Sequence, residues 1–509
     1  MGKKMKKVIM SVLSLSLVLG IAAGCTSDQE KAAKKNKATK ESTEVTSGAS
    51  SNGYTDLSEL EDNYDIVIIG AGGSGMTAAL QAKESGMNPV ILEKMPVAGG
   101  NTIKSSSGMN ASQTKFQKEE GITDSNDKFF EETLKGGKGT NDKELLRYFV
   151  DHSADAIDWL DSKGIELSNL TITGGMSEKR THRPADGSAI GGYLVDGLVR
   201  NVKEEKIPLF VNANVTELME KNGQVDGVKV KLNDKETKEI KAGAVIVTTG
   251  GFGANKEMLE EYDPKLKDYV TTNQEGSTGD GIKMIEKLGG ATVDMKEIQI
   301  HPTVQQDKSF LIGEVVRGEG AILASKEGVR FVNEMDTRDK VSAAITALPD
   351  KSAYLVFDQG VRDRAKAIDF YDEQGFVVEG NTIEELAKKI DMPEAKLKET
   401  LEQWNKNVQG KSDTQFGRKT GMDNDLSKGP FYAIKIAPGI HHTMGGVKIN
   451  TKTEVLKEDG SPIKGLYAAG ELTGGLHGAN RIGGNAVADI IIFGRQSGTE
   501  SANFAAVQK

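Results

Sequence analysis

An α/β fold built on a parallel sheet is what this sequence predicts, on three observations. Residues 63–94, NYDIVIIGAGGSGMTAALQAKESGMNPVILEK, read as strand, glycine turn, helix and strand. Two later runs, AGAVIVTTGGFGAN at 242–255 and GLYAAGELTGG at 465–475, are again apolar stretches that end in small residues. Continuous apolar runs suit strands covered on both faces, as parallel sheets require. The chain has 509 residues, 37% hydrophobic and 27% charged, a globular composition with length for roughly two or three domains.

The first sixty residues do not share that pattern. MGKKMKK is a basic start, and VIMSVLSLSLVLGIAAG is an apolar run ending in small residues. The run is too short and wrongly flanked for a membrane span, so it reads as a targeting segment. The only cysteine, Cys25, follows directly. The stretch resembles a bacterial lipoprotein signal, with Ala22 where Leu is more common. The resemblance implies a signal peptide over 1–24, a lipid anchor on Cys25 and a place on the extracellular face of the cell membrane. A single cysteine allows no internal disulfide, and no C-x-x-C-H is present to attach a haem.

Residues 25–59 are rich in Lys, Ser, Thr and Glu and cannot bury a core. They read as a flexible tether with a mean reach of ~30–35 Å. Within it, EVTSGAS at 44–50 resembles the motif at which flavin transferases attach FMN through a phosphoester. Glu44 stands where Asp is usual. The resemblance implies covalent FMN at Ser50 and a flavin transferase as partner. The formal net charge is -9, and loss of Lys3, Lys4, Lys6 and Lys7 with the leader takes it to -13. That balance argues against nucleic acid as a partner; an anionic substrate needs cations that converge locally.

Within 63–94 the run Ile66 to Ile69 suits a buried strand, and Gly70, Gly72 and Gly75 form G-x-G-x-x-G. They permit a tight turn, close approach of a pyrophosphate and close helix packing, with the helix N-terminus facing the phosphates. Glu93 ends the second strand, where an acid holds a ribose hydroxyl. Strand, helix and acid in register make this a dinucleotide site. Gly99, Gly100, Asn101, Thr102 and Gly108 in GGNTIKSSSGMNA, Gly250 in TTGGFGAN, Asp280, and Glu471 in GLYAAGE extend it to a cofactor longer than NAD. Flavoproteins of this type hold the ribityl chain at the position of Glu471, which points to FAD.

Longer ordered motifs carry a family resemblance: HPT at 301, EVVRGEGAIL at 314, RFVNEMDTRDKVSAAI at 330, HHTMGGV at 441 and HGANRIGGNA at 477. From about 60 to 505 the chain resembles the soluble fumarate reductases of the flavocytochrome c type, in the succinate dehydrogenase flavoprotein superfamily. The resemblance implies an α/β FAD-binding Rossmann-like domain in two segments, 60–295 and 442–509, with an inserted α+β capping or clamp domain at 296–441. The N-terminal haem domain of the flavocytochromes is missing from the match, so an external electron donor of the cell surface or a tethered flavin is expected to supply electrons. Covalently flavinylated relatives carry a histidine at the position of Asn101, so noncovalent FAD is expected here.

Reduction of an alkene beside a carboxylate needs a hydride donor, cations on the carboxylates and a proton for the second carbon. By resemblance, Arg481, His442 and His301 bind the substrate, and Arg338 of TRDK gives the proton. A guanidinium with a pKa above about 12 is a weak acid, but the transient carbanion is far more basic. Glu314 and Arg317, spaced to share one side of a helical turn, match the family's proton relay. One departure concerns Leu311 and Gly313, where the family carries Met and Thr. The missing threonine hydroxyl leaves only the Gly313 backbone N–H to assist His301, and predicts a looser end of the site. The expected reaction is fumarate to succinate in anaerobic respiration. The alternative is another α,β-unsaturated acid of the urocanate, methacrylate or cinnamate type.

Overall fold

The structure is a computed structural model, and it describes residues 53–508. Cys25, Ser50, the leader and most of the tether lie outside the described residues. The strand Asn63–Ile69 runs through the middle of the main sheet. It pairs in parallel with Pro89–Leu92 on one side and Glu236–Val247 on the other. Leu209–Phe210 extends the first side, and Pro462–Ala468 adds in parallel to Glu236–Val247. Val67, Ile68, Val90, Ile91, Val245 and Ile246 have no exposed surface, which is why these runs carry no polar alternation. The hairpin partners Ala213–Lys221 and Gln224–Leu232 pair antiparallel and do alternate, because one face meets water.

The turn after the first strand depends on glycine. Gly70 has φ +104°, and a Cβ there would stand 2.6 Å from the Thr248 carbonyl oxygen. The helix Gly73–Glu84 follows and packs on the last helix, Asn485–Gln508. The chain's end thus closes the layer opened by its first helix.

A second core is formed by residues between 312 and 436. Its sheet joins Ile298–Gln305, Phe310–Leu311, Phe431–Thr443, Ala353–Asp358, Ile322–Ala324 and Val378–Gly380, all antiparallel. Trp404 is fully buried there, with the Arg330 and Arg418 guanidiniums each 4.6 Å from its ring. Glu334 and Asp413 neutralise these cations at 2.7–3.2 Å. This network fixes the segment that leads from Arg330 to Arg338. The fold is therefore the predicted α/β body in two chain segments with an inserted α+β unit. Residue 441, the expected end of the insert, falls inside the continuous strand Phe431–Thr443. Ile436 belongs to the second core and Ile440 to the first, so this strand crosses from one core to the other without a break.

Candidate active site

Two clefts meet at Asn101, Thr102, Glu471 and Ile490. The first, of about 780 Å³, runs over the glycine turn. It is lined by Gly70, Gly72, Gly100, Gly250, Glu93, Asp280 and the start of the helix Gly73–Glu84. The N-cap of that helix, Gly72, offers no side chain, the Gly73 N–H donates to Thr102 Oγ1 at 3.0 Å, and the positive end of the helix dipole faces the cleft. A Cβ on Gly75 would overlap the Gly70 carbonyl, so close packing of turn on helix excludes any side chain there. Ser74 Oγ is buried with no hydrogen-bond partner among the described residues. Glu93 accepts the Ala71 and Met95 N–H groups, each at 2.8 Å, and burial pushes its carboxyl up. A helix start, an orphaned hydroxyl and a fixed acid fit the pyrophosphate and ribose of a dinucleotide. Asp280 is held by Lys94 at 2.6 Å.

Asn101 sits at the junction of the clefts. Its amide donates to Asn273 at 2.6 Å and Glu471 at 3.3 Å, and its oxygen accepts the Gln274 N–H at 2.8 Å. Gly99 donates its N–H to the Ala71 carbonyl at 2.9 Å and is not part of the first cleft's lining, and Gly108 lines the second.

The second cleft, of about 1050 Å³, gathers His301, Glu314, Arg338, His441, His442 and Arg481. All but His441, which is partly exposed, are buried. Arg338 opens the helix Arg338–Thr346; its Nε donates to Glu314 at 2.6 Å and its Nη1 to Gln299 at 2.9 Å. Glu314 sits at the N-cap of the turn Val315–Gly318, and Arg317 lies 3.4 Å from the same carboxylate oxygen. Thr173 donates to its other oxygen. Burial alone would raise the Glu314 carboxyl; Arg338 and Arg317 outweigh it and hold the group down to about 2. Burial, then Arg338, push Arg481 down to about 9. Arg338, Arg317 and Arg481 outnumber the carboxylates of Glu314 and Glu471, and an anion would relieve the imbalance.

His301 has Nδ1 accepting the Thr303 N–H at 3.2 Å, which places the ring proton on Nε2. Nε2 has no hydrogen-bond partner among the described residues, and neither do His442 Nε2 and Arg481 Nε. Burial, then neighbouring guanidiniums, keep both histidines neutral. His301, with its ring proton on Nε2, is a donor to an anion, and His442 has its Nδ1 3.4 Å from Glu471 Oε1.

The expected set Arg338, Glu314, Arg317, His301, His442 and Arg481 is thus brought together from distant parts of the chain. Gly313 is not. Its N–H donates to the Tyr371 hydroxyl at 3.0 Å, and it does not line the cleft. The looser end expected there is filled: a Cβ on Gly313 would meet Ser106 Oγ at 2.7 Å and Tyr371 Oη at 3.3 Å. Asp336 and Asp339 do not hold Arg338; they pair with Lys340 and Lys138. The residue that does, besides Glu314, is Gln299, whose amide also donates to the Arg481 carbonyl at 2.7 Å. Gln299 precedes His301 by two in a strand, so period-two alternation puts both on one face, a signal legible in IQIHPT. His441 carries no such signal. The strand register shifts so that Gln299 faces His442 and Ile300 faces Ile440. His441 is the extra residue of this bulge, which lets adjacent histidines reach one cleft.

Fold and joined clefts define the class: an FAD-dependent oxidoreductase. The chain belongs to the family described as FAD binding domain, whose model matches residues 65–487. It is 53% identical over 440 residues to the "NADH:fumarate oxidoreductase" of Klebsiella pneumoniae, covering 86% of this chain and 48% of that one. The chain thus spans about half the length of that relative. It is 44% identical to the "Fumarate reductase (cytochrome)" of Shewanella frigidimarina, over 87% of this chain and 78% of that one. A solved structure of the open conformation of a flavocytochrome c3 fumarate reductase superposes with a TM-score of 0.72 at 41% identity, covering 88% of this chain and 79% of that chain.

Proposed function

We propose that this protein reduces fumarate to succinate, with noncovalent FAD in the first cleft and the substrate in the second. Bound there, FAD supplies the hydride donor. Arg481 and His442 grip one carboxylate, and His301 offers its Nε2–H to the other. Arg338 gives a proton to the carbon on which charge builds, and the Glu314–Arg317 pair returns one from solvent. The salt bridge at 2.6 Å both aims the guanidinium and provides the contact through which it is reloaded. Asn101 is an amide without a nucleophile, which supports a cofactor held by contacts alone.

One observation carries this reading. Two buried guanidiniums, of Arg338 and Arg481, and the neutral rings of His301 and His442 line one cleft, Arg317 backs Glu314 from behind, and the counter-charges are Glu314 and Glu471. A small carboxylate substrate relieves the excess of cations. The test is turnover of fumarate, urocanate, methacrylate and a cinnamate with a reduced dye as donor. Fumarate is expected to be fastest. Turnover of another enoate with none of fumarate would remove this substrate and leave the enoate-reductase class.

We infer further that the enzyme works at the outer face of the cell membrane, anchored through lipidated Cys25. FMN on Ser50, installed by a flavin transferase, would pass electrons from a cell-surface donor to the FAD. The sequence motifs IAAGC and EVTSGAS support both steps. Intact mass of the native protein tests them: a Ser50 peptide without FMN, in cells that hold the transferase, ends the second.

A further inference from the structure

We propose that Ser106 supplies the hydroxyl that positions the substrate carboxylate beside His301. This rests on the enoate reading of the second cleft. Its starting point is the space at Gly313, which the structure fills from elsewhere in the chain. The point at which a side chain on residue 313 would begin lies 2.7 Å from Ser106 Oγ and 3.1 Å from Ser106 Cβ. The serine therefore stands where a threonine at 313 would have put its own side chain.

Ser106 lines the same cleft as His301, Glu314, Arg338 and Arg481. It is only 6% exposed, its Oγ finds no partner in good hydrogen-bond geometry among the described residues, and the one side chain that interacts with it there is the Tyr371 phenol, which leaves the serine's own proton without an acceptor. An orphaned buried hydroxyl is costly unless a ligand completes it. The polar group beside it is the Tyr371 hydroxyl, which already accepts the Gly313 N–H at 3.0 Å. Tyr371 is buried and fixed between Gly313 and Ser106, so it props the serine and closes the space behind it. With the rear filled, the Ser106 O–H has the cleft as its open side. A carboxylate held by the His301 Nε2–H would accept this second bond on its free oxygen. Ser107 lines the cleft as well but has no such relation to position 313.

The holoenzyme with Ser106→Ala tests the assignment. The Michaelis constant for the preferred enoate is expected to rise about 10- to 100-fold, the range for one hydrogen bond to a charged group. Binding of succinate, read from its perturbation of the oxidised flavin spectrum, should weaken by the same factor, with FAD content unchanged. Gly313→Thr alone should impair binding, because the new Cβ meets Ser106 Oγ. The double variant Ser106→Ala with Gly313→Thr should bind at least about 10-fold better than Gly313→Thr alone. If Ser106→Ala loses its flavin, Ser106→Cys keeps the volume with a poor donor and is read in the same way. Unchanged substrate and succinate binding in the single variant, or a double variant no better than Gly313→Thr, would overturn the proposal. Failure of the wild type to turn over fumarate removes the fumarate reading alone, since Ser106 is then read with whichever enoate is reduced.

Discussion

Arg338 is aimed by two partners that its own neighbourhood in sequence does not reveal. Glu314 takes its Nε and Gln299 takes its Nη1, at 2.6 and 2.9 Å. The adjacent aspartates are spent on lysines at the surface. A guanidinium held from two sides in a buried cleft has little freedom, and that is what directional proton delivery requires. Arg338→Gln keeps a polar side chain but removes the acid. Turnover should fall by at least about 10³-fold, near the upper part of the general-acid range. Flavin content and dye-driven flavin reduction should be retained. A variant that still turned over within tenfold of wild type would exclude Arg338 as the donor.

Elements carry a different kind of constraint. His182 lies in the strand Thr181–Arg183, flanked by Met109–Asn110 and Asn169–Thr171. Its Nδ1–H donates to the Arg180 carbonyl and its Nε2 accepts from the Thr114 hydroxyl, both at 2.8 Å. Thr114 in turn caps the helix Lys115–Glu119. This network uses the neutral imidazole, and burial pushes the group down to about 4. The unfolded chain therefore takes up its proton first as pH falls from about 6.5 to about 4. The stabilisation is whole above about 6.5 and is lost on the way to about 4, a change of about 3 kcal/mol. In denaturant unfolding of wild type against His182→Gln, the stability gap should shrink by about that amount between pH 7 and pH 4. A gap independent of pH would mean that His182 titrates normally.

The same scale shows why parts of the site were legible and others not. His301, His442 and Arg481 stand in motifs with a local signature, so their roles could be expected from residue type and order. Gly313 could not be read correctly, because the meaning of a missing side chain depends on what fills the space. Ser106 and Tyr371, distant in sequence on either side of Gly313, fill it. Nor does HHTMGG announce that both histidines face one cleft; alternation would send them apart, and only the bulge reverses this.

At the scale of the whole molecule, charge is segregated. The chain is acidic overall, yet its second cleft concentrates buried guanidiniums. Cationic walls in a low-dielectric cleft attract a small dianion despite the acidic surface. The lipid anchor we infer would fix the enzyme at a surface. Cys25→Ser should move it from the membrane fraction to the soluble or secreted one, with dye-linked turnover per flavin unchanged. Retention at the membrane would show that something other than Cys25 holds it. Two cores joined by the unbroken strand Phe431–Thr443 also place His441 and His442 where both meet.

The sequence by itself determined the parallel sheet, the glycine turn and the dinucleotide cleft, because each rests on residues close together in the chain. Gly70 must adopt a conformation other residues resist, Gly75 must touch the backbone behind it, and Glu93 follows its strand directly. Tertiary structure alone decided which groups surround Arg338 and what replaces the side chain absent at 313. Those are contacts between remote segments, and volume, unlike periodicity, leaves no mark along the chain until the segments are packed together.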